Sequence, residues 1–237
     1  MIKLIIFDWD DVFTKDSIKG YYKCYHEALV AVGVELPADK ETELIKAKWG
    51  AGHRQQLQYI LEQTGHPEPE VLDKANDAYE KHFFGTTFIG CLTSIPGSKE
   101  FLDDISKRYK IAVATGSHPD ILKKRLMPKF GIPEDIFAEI MTIYYLDDIA
   151  HAKPHPMMAE KIMASVGVKP EETVLVGDAT SDMQMARNAG VIPIAVLTGH
   201  LSRQEAEDMG IEHIIDDVTL LELELEKLNP PICADEE

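Results

Sequence analysis

Near the start of the 237-residue chain, the stretch LIIFDWDD sets Asp8, Asp10 and Asp11 directly behind an apolar run. Carboxylates this close repel one another, so the arrangement calls for a cation among them or for one of them to titrate abnormally. Three later stretches supply complementary groups: Thr115, Gly116 and Ser117 in AVATGS, Lys153 in HAKPHP, and Asp178 and Asp182 in VLVGDATSD. Together they read as a device for moving a phosphoryl group. Oxygens from Asp8, Asp178 and the backbone carbonyl of Asp10 suit Mg2+, a hard cation that favours carboxylates and keeps several waters. With the repulsion between phosphate and carboxylate lowered, Asp8 can attack phosphorus and form an aspartyl-phosphate. Asp10 is placed to protonate the departing alkoxide and then to take a proton from the hydrolytic water. The Thr115 hydroxyl and the backbone N–H groups after it, beginning at Gly116, can hold phosphoryl oxygens. Lys153 supplies a fixed positive charge for the transition state.

These groups converge only if the elements carrying them share one edge of a sheet. Ile2 to Phe7 is a short, nearly continuous apolar run rich in β-branched residues, which predicts a fully buried strand. From Ser17 to about Phe84 the apolar residues recur at helical spacing, as in Tyr21, Tyr25, Ala28, Leu29 and Val32, with Gly33, Gly65 and Pro67 as punctuation. That block predicts about four helices and no strand between Thr14 and Gly85. Beyond it the pattern alternates. Helices are expected from Ser98, from Pro119, from about Pro156 to Val166 and from Ser181 to Gly190. Strands are expected at Ile111 to Thr115, Glu139 to Ile143, Thr173 to Val176, Ile192 to Val196 and His213 to Ile215. Alternating strands and helices with doubly buried strands imply an α/β fold, a doubly wound parallel sheet covered on both faces. The expected organisation is a core of residues 1–14 and 88–237 with an all-helical insert, residues 15–87. Ligands of such sheets sit beyond the carboxyl ends of the strands, where the acidic and basic residues lie.

Composition narrows the partners. Lys and Arg total 24 against 41 Asp and Glu, a net charge of −17, which disfavours nonspecific binding to nucleic acid or to an anionic membrane. An anionic substrate, here a small phosphorylated metabolite, therefore needs a local positive site. Cys24, Cys91 and Cys233 are far apart and show no CxxC pair, so a reducing cytoplasm is expected. Neither a signal-peptide core nor a membrane span is expected. There is no repeat, and the acidic tail 234–237 reads as frayed.

Four motifs in this order resemble the haloacid dehalogenase superfamily of phosphohydrolases, in the branch of phosphoglycolate phosphatase and β-phosphoglucomutase with a helical cap. They are FDWD, VATGS, AKPHP and VGDATSD, and the segment IPGSKEFLDDI resembles the family's return from cap to core. The resemblance implies a Rossmann-like core, Asp8 as nucleophile, Asp10 as acid and base, phosphate contacts from Thr115 and Lys153, and Mg2+ on Asp8, Asp10 and Asp178. One position departs from it: Asp11 stands where the family usually has Gly, and Asp visits positive φ more readily than most residues.

Individually, several of these residues have structural readings. Asp182 reads equally as a helix cap and as a metal ligand. Asp147 and Asp148 read as loop solvation, and Met158, Met163, Met183 and Met185 as core filling. A calcium loop at DWDDVF is rejected because Phe13 replaces its required Gly. The activity expected is a phosphatase. A sugar-phosphate mutase is the nearest rival, and a receiver-type phospho-acceptor domain the rival of another class. In mutase-like relatives basic residues flank a cap Gly. If Gly50 is that position, Trp49 and His53 flank it with Arg54 adjacent, which weakens the mutase reading. The stretch Trp49 to Arg54 is expected to line the pocket, with His53 and Arg54 contacting substrate. The alternative is that Trp49 packs between helices and His53 is solvated. Oligomeric state is left open.

Overall fold

The computed structural model describes residues 1–48, 52–143 and 150–229. Its strands are β1 (Leu4–Phe7), β2 (Thr14–Lys15), β3 (Thr93–Ser94), β4 (Lys110–Thr115), β5 (Glu139–Thr142), β6 (Thr173–Gly177), β7 (Ile192–Val196) and β8 (His213–Ile215). Six of them form one sheet in the order β5-β4-β1-β6-β7-β8, and every adjacent pair is parallel. The LIIF run of β1 is buried throughout, as a central strand covered on both faces must be. Phe7 lies beside Val113 of β4 and Val176 of β6, so the residues that follow all three strands emerge at one edge. The chain fills the sheet outward from β1 through β4 to β5, then returns to β6 on the other side. The resulting switch point lies beside β1, where a doubly wound sheet opens a crevice.

The chain divides into two compact units, residues 1–15 with 94–237, and residues 16–93. The second holds α1 (Ser17–Ala31), α2 (Ala38–Lys46), α3 (His53–Gln63), α4 (Pro69–Phe83) and α5 (Thr87–Cys91). On α1 the buried face is Gly20, Cys24, Tyr25, Ala28 and Leu29, one stripe at helical spacing. Gly20 permits the close approach of α5, since a Cβ there would stand 2.8 Å from the Phe88 ring. Four helices span Ser17 to Phe83 as the periodicity predicts, but the stretch from Thr14 expected to hold no strand begins with β2 (Thr14–Lys15), a two-residue piece too short to leave a pattern.

The first unit carries α6 (Ser98–Ile105), α7 (Pro119–Ile121), α8 (Met127–Phe130), α9 (Met157–Val166), α10 (Thr180–Asn188), α11 (Arg203–Asp208) and α12 (Leu221–Leu228). Apolar residues of β1, β4 and β6 pack with Met158, Ile162, Met163, Met185 and Ala186 into one core cluster, and Met183 joins a second with Ala195 and Leu201. The helix expected from Pro119 is interrupted by a π-helical stretch, Leu122–Leu126. Pro128 has no N–H to donate and its ring crowds the carbonyl four residues back, so the hydrogen-bond ladder widens there. Among the described residues, no helix is long and apolar enough to cross a membrane.

Candidate active site

Asp8 is the first residue past β1, and its N–H still donates to the Val176 carbonyl at 2.9 Å. The chain then turns: the N–H groups of Val12 and Phe13 donate to the Trp9 carbonyl at 3.3 and 3.1 Å. Trp9 and Phe13 are fully buried, their ring centroids 5.4 Å apart, and Phe13 also packs on Phe7 at 5.0 Å. This apolar anchor holds the acidic turn in place. Asp11 takes φ 55°, the left-handed conformation its substitution for Gly requires. Its N–H donates to Thr14 Oγ1 at 3.2 Å, and its carbonyl accepts from Thr198 Oγ1 at 2.5 Å.

Lys153 joins the first and last motifs. Its Nζ lies 2.8 Å from Asp8 Oδ1 and 2.6 Å from Asp182 Oδ1. Burial alone would lower the lysine pKa, but the carboxylates of Asp182 and Asp8 outweigh it and hold the ammonium above the ordinary lysine range. Asp182 also accepts from the Ala179 N–H at 3.1 Å through Oδ2. It therefore caps α10 and anchors Lys153 at once, which joins its capping role to a place in the charged cluster.

Asp178 is 2% exposed. Its Oδ2 accepts from the His200 N–H at 3.0 Å and its carbonyl from the Leu201 N–H at 2.7 Å. Two glycines make room for these carboxylates. A Cβ at Gly199 would lie 1.8 Å from Asp178 Oδ2, and one at Gly177 would lie 2.4 Å from Asp182 Cβ. Asp10 Oδ2 accepts from the Ser117 hydroxyl, while its Oδ1 is buried with no hydrogen-bond partner. Burial, reinforced by the neighbouring charge of Asp8, pushes the Asp10 carboxyl up to about 7. Thr115 is buried at the end of β4, and its Oγ1 accepts from the Ser117 N–H at 3.2 Å, which leaves its own hydroxyl proton free to donate. Gly116 is exposed, with open space where a Cβ would stand.

One carboxylate oxygen from each of Asp8, Asp178 and Asp182 lies within 4.8 Å of the others, and Asp11, Asp178 and His200 form a second such group. Lys153 pairs with Asp182 Oδ1 and Asp8 Oδ1, and Asp182 Oδ2 accepts from the Ala179 N–H, so both Asp182 oxygens are engaged. The Asp178 carboxyl is pushed well above its usual range by burial and by the charges of Asp182 and Asp8. The three buried carboxylates of the first group face the single ammonium of Lys153 and are short of positive charge, and the donors of that group are all hard oxygens. These residues fit a divalent cation of the Mg2+ kind.

His53 and Arg54 belong to the helical unit. His53 is 2% exposed, which corrects the solvated alternative. Its ring stacks on Tyr79 at 4.6 Å and its Nε2 lies 3.5 Å from Glu80 Oε1. Arg54 is half exposed and pairs with Asp73 at 2.5 Å. Trp49, Gly50, Asp147, Asp148, Cys233 and the tail 234–237 lie outside the described residues.

Residues 5–196 match the family model of the haloacid dehalogenase-like hydrolases. The chain belongs to that family. Among curated relatives of this hydrolase, pyrophosphatase PpaX of Bacillus mycoides is 30% identical over 131 residues, 55% of this chain but only 59% of that protein's length. Protein CbbY of Cereibacter sphaeroides is 24% identical over 218 residues, 91% of this chain and 92% of the relative. A crystal structure from Haemophilus somnus, described as a predicted phosphoglycolate phosphatase, superposes with a TM-score of 0.77 at 20% identity, covering 94% of this chain and 97% of that one. A subfamily IA hydrolase from Geobacter sulfurreducens gives 0.70 at 22%, covering 94% and 96%. At those identities the two structures speak to the fold alone, and the fold is the doubly wound core with a helical insert.

Sequence reasoning assigned no role to Ser117, Thr198, Gly199 or His200. Ser117 stood at a recognised strand edge, but its bond to Asp10 depends on β1 and β4 lying side by side. Gly199 follows β7 by three residues and carries no local mark of the carboxylate it accommodates.

Proposed function

We propose that this hydrolase is a Mg2+-dependent phosphatase that cleaves a small phosphate monoester through a phosphorylated Asp8. The observation that carries the reading is the joining of Asp8, Asp182 and Lys153, at 2.8 and 2.6 Å, beside the carboxylate of Asp178 at the switch point of the sheet. A Mg2+ ion held by Asp8, Asp178 and the backbone of Asp10 would offset the repulsion between carboxylate and phosphoryl group. The Asp8 carboxylate attacks phosphorus and the bond to the leaving oxygen breaks. Asp10, a carboxylic acid with a pKa near 7, gives that oxygen its proton. Asp10 then takes a proton from water, whose oxygen displaces the Asp8 carboxylate and releases phosphate. Acid-base assistance of this kind contributes on the order of 10²- to 10⁴-fold. Thr115 and Gly116 hold the phosphoryl oxygens, and Lys153 balances the charge that builds on them.

Phosphoglycolate, inorganic pyrophosphate, sugar phosphates and nucleoside monophosphates form the panel to rank by kcat/KM. The decisive assay uses p-nitrophenyl phosphate with Mg2+. Sustained nitrophenol release that EDTA stops and Asp8→Asn removes supports the phosphatase. Stoichiometric phosphorylation of the protein without turnover would replace it with a phospho-acceptor module, and isomerised sugar phosphate without free phosphate would replace it with a mutase.

A further inference from the structure

The turn after β4 carries a hydroxyl that the reaction as written does not use. Ser117 is 8% exposed. Its N–H is tied to Thr115 Oγ1 at 3.2 Å, and its hydroxyl donates to Asp10 Oδ2. The two oxygens of Asp10 are thereby made unequal: Oδ2 accepts a hydrogen bond and the buried Oδ1 has none. A carboxylic acid that accepts at one oxygen carries its proton on the other. From these contacts we infer that Ser117 is a positioning residue that fixes the rotation of the Asp10 carboxyl and makes Oδ1 the atom that delivers and later recovers the proton. The inference rests on the phosphatase reading and adds to it the residue that aims the acid.

The balance of the step is simple. As the Asp8 oxygen bonds to phosphorus, the P–O bond to the leaving group breaks, its electron pair stays on the leaving oxygen, and the Oδ1 proton moves there to give the free alcohol. The Asp10 carboxylate that remains keeps its Ser117 bond. It accepts a proton at Oδ1 from the attacking water when phosphate leaves Asp8. Ser117 donates throughout and changes no covalent bond. Because its N–H is held by Thr115, whose hydroxyl faces the phosphoryl group in this mechanism, one short turn sets both the phosphate contact and the aim of the acid.

Aiming an acid matters in proportion to how badly the leaving group needs a proton. An alkoxide needs one, whereas a strongly acidic phenol leaves without it. The experiment therefore measures kcat/KM, which covers steps only through departure of the leaving group, for glycerol phosphate and for 2,4-dinitrophenyl phosphate in wild type, Ser117→Ala and Ser117→Thr. In Ser117→Ala the alkyl-to-aryl ratio is expected to fall by about 10-fold or more, a portion of the full acid-base contribution. Ser117→Thr, which keeps the hydroxyl, is expected to restore the ratio to within about 3-fold. A merely structural loss would lower both esters together. Equal losses on the two esters, no loss on either, or failure of Ser117→Thr to recover the ratio while both variants melt like wild type would overturn the inference. If wild type hydrolyses neither ester with Mg2+ present, the phosphatase reading falls first and the inference with it.

Discussion

At the scale of single residues, the cluster is held by contacts whose removal has a predictable sign. Lys153 is the ammonium that pairs Asp8 with Asp182. Lys153→Met keeps the length of the stem but leaves two buried carboxylates unpaired, and breaking a buried pair in this way costs about 3–5 kcal/mol. Urea unfolding is expected to show that loss together with a fall in kcat/KM. A variant as stable as wild type would mean that the pair contributes nothing to the fold. Gly199→Ala tests the space reserved for Asp178. Its Cβ would overlap Asp178 Oδ2, so the carboxylate or the loop must shift. Mg2+ affinity by calorimetry is expected to weaken by about 10-fold or more, with a stability loss of about 1–3 kcal/mol from overpacking. Unchanged affinity would show that Asp178 binds in another rotamer. The acidic residues and Lys153 were legible in the sequence because their types and order carry chemical meaning. Ser117 and Gly199 were not, because their roles exist only once separate strands stand side by side.

Among the elements, legibility followed the pattern each segment wrote. The six strands of the main sheet were expected within a residue or two of their observed ends, since buried parallel strands leave short apolar runs. Two helices near the end were not expected. The Ser202 hydroxyl and the Glu205 carboxylate cap α11 reciprocally, and that spacing was a usable signal. In α12 the segment LELELEKL alternates like a strand, yet it folds as a helix with Leu221 and Leu225 buried and Leu223 57% exposed. In the helical unit, burial holds the His53 imidazole below its ordinary pKa, against a smaller upward pull from Glu80. The unfolded chain therefore takes up the proton more readily. The stabilising contribution of neutral His53 is complete above the ordinary histidine value, about 6.5, and is lost as pH falls through the lower folded value. Hydrogen-exchange protection factors in α3 and α4, which divide out the pH dependence of intrinsic exchange, are expected to fall as pH drops below about 6.5. His53→Phe, which keeps an aromatic ring against Tyr79, should flatten the dependence. Wild-type protection factors that ignore acid would remove His53 as the cause.

Over the whole molecule, the net charge of −17 works against an anionic substrate, so in the proposed reaction capture would rely on the field close to Lys153 and a bound cation. With Mg2+ saturating, raising ionic strength from about 0.01 to 0.15 M shortens the screening length from about 30 to 8 Å. That screens repulsion more than local attraction, and kcat/KM for an anionic ester is expected to hold level or to rise by about 2-fold. A steep fall would reveal a positive approach path. The order of the main sheet has a further consequence for synthesis. Its middle strand, Leu4–Phe7, is made before both neighbours that flank it, which start at Lys110 and Thr173. The helices between Ser17 and Cys91 close among themselves while that strand waits with both edges open. A ribosome that pauses before the first neighbour emerges holds out a bare apolar ribbon, open to pairing with the wrong chain.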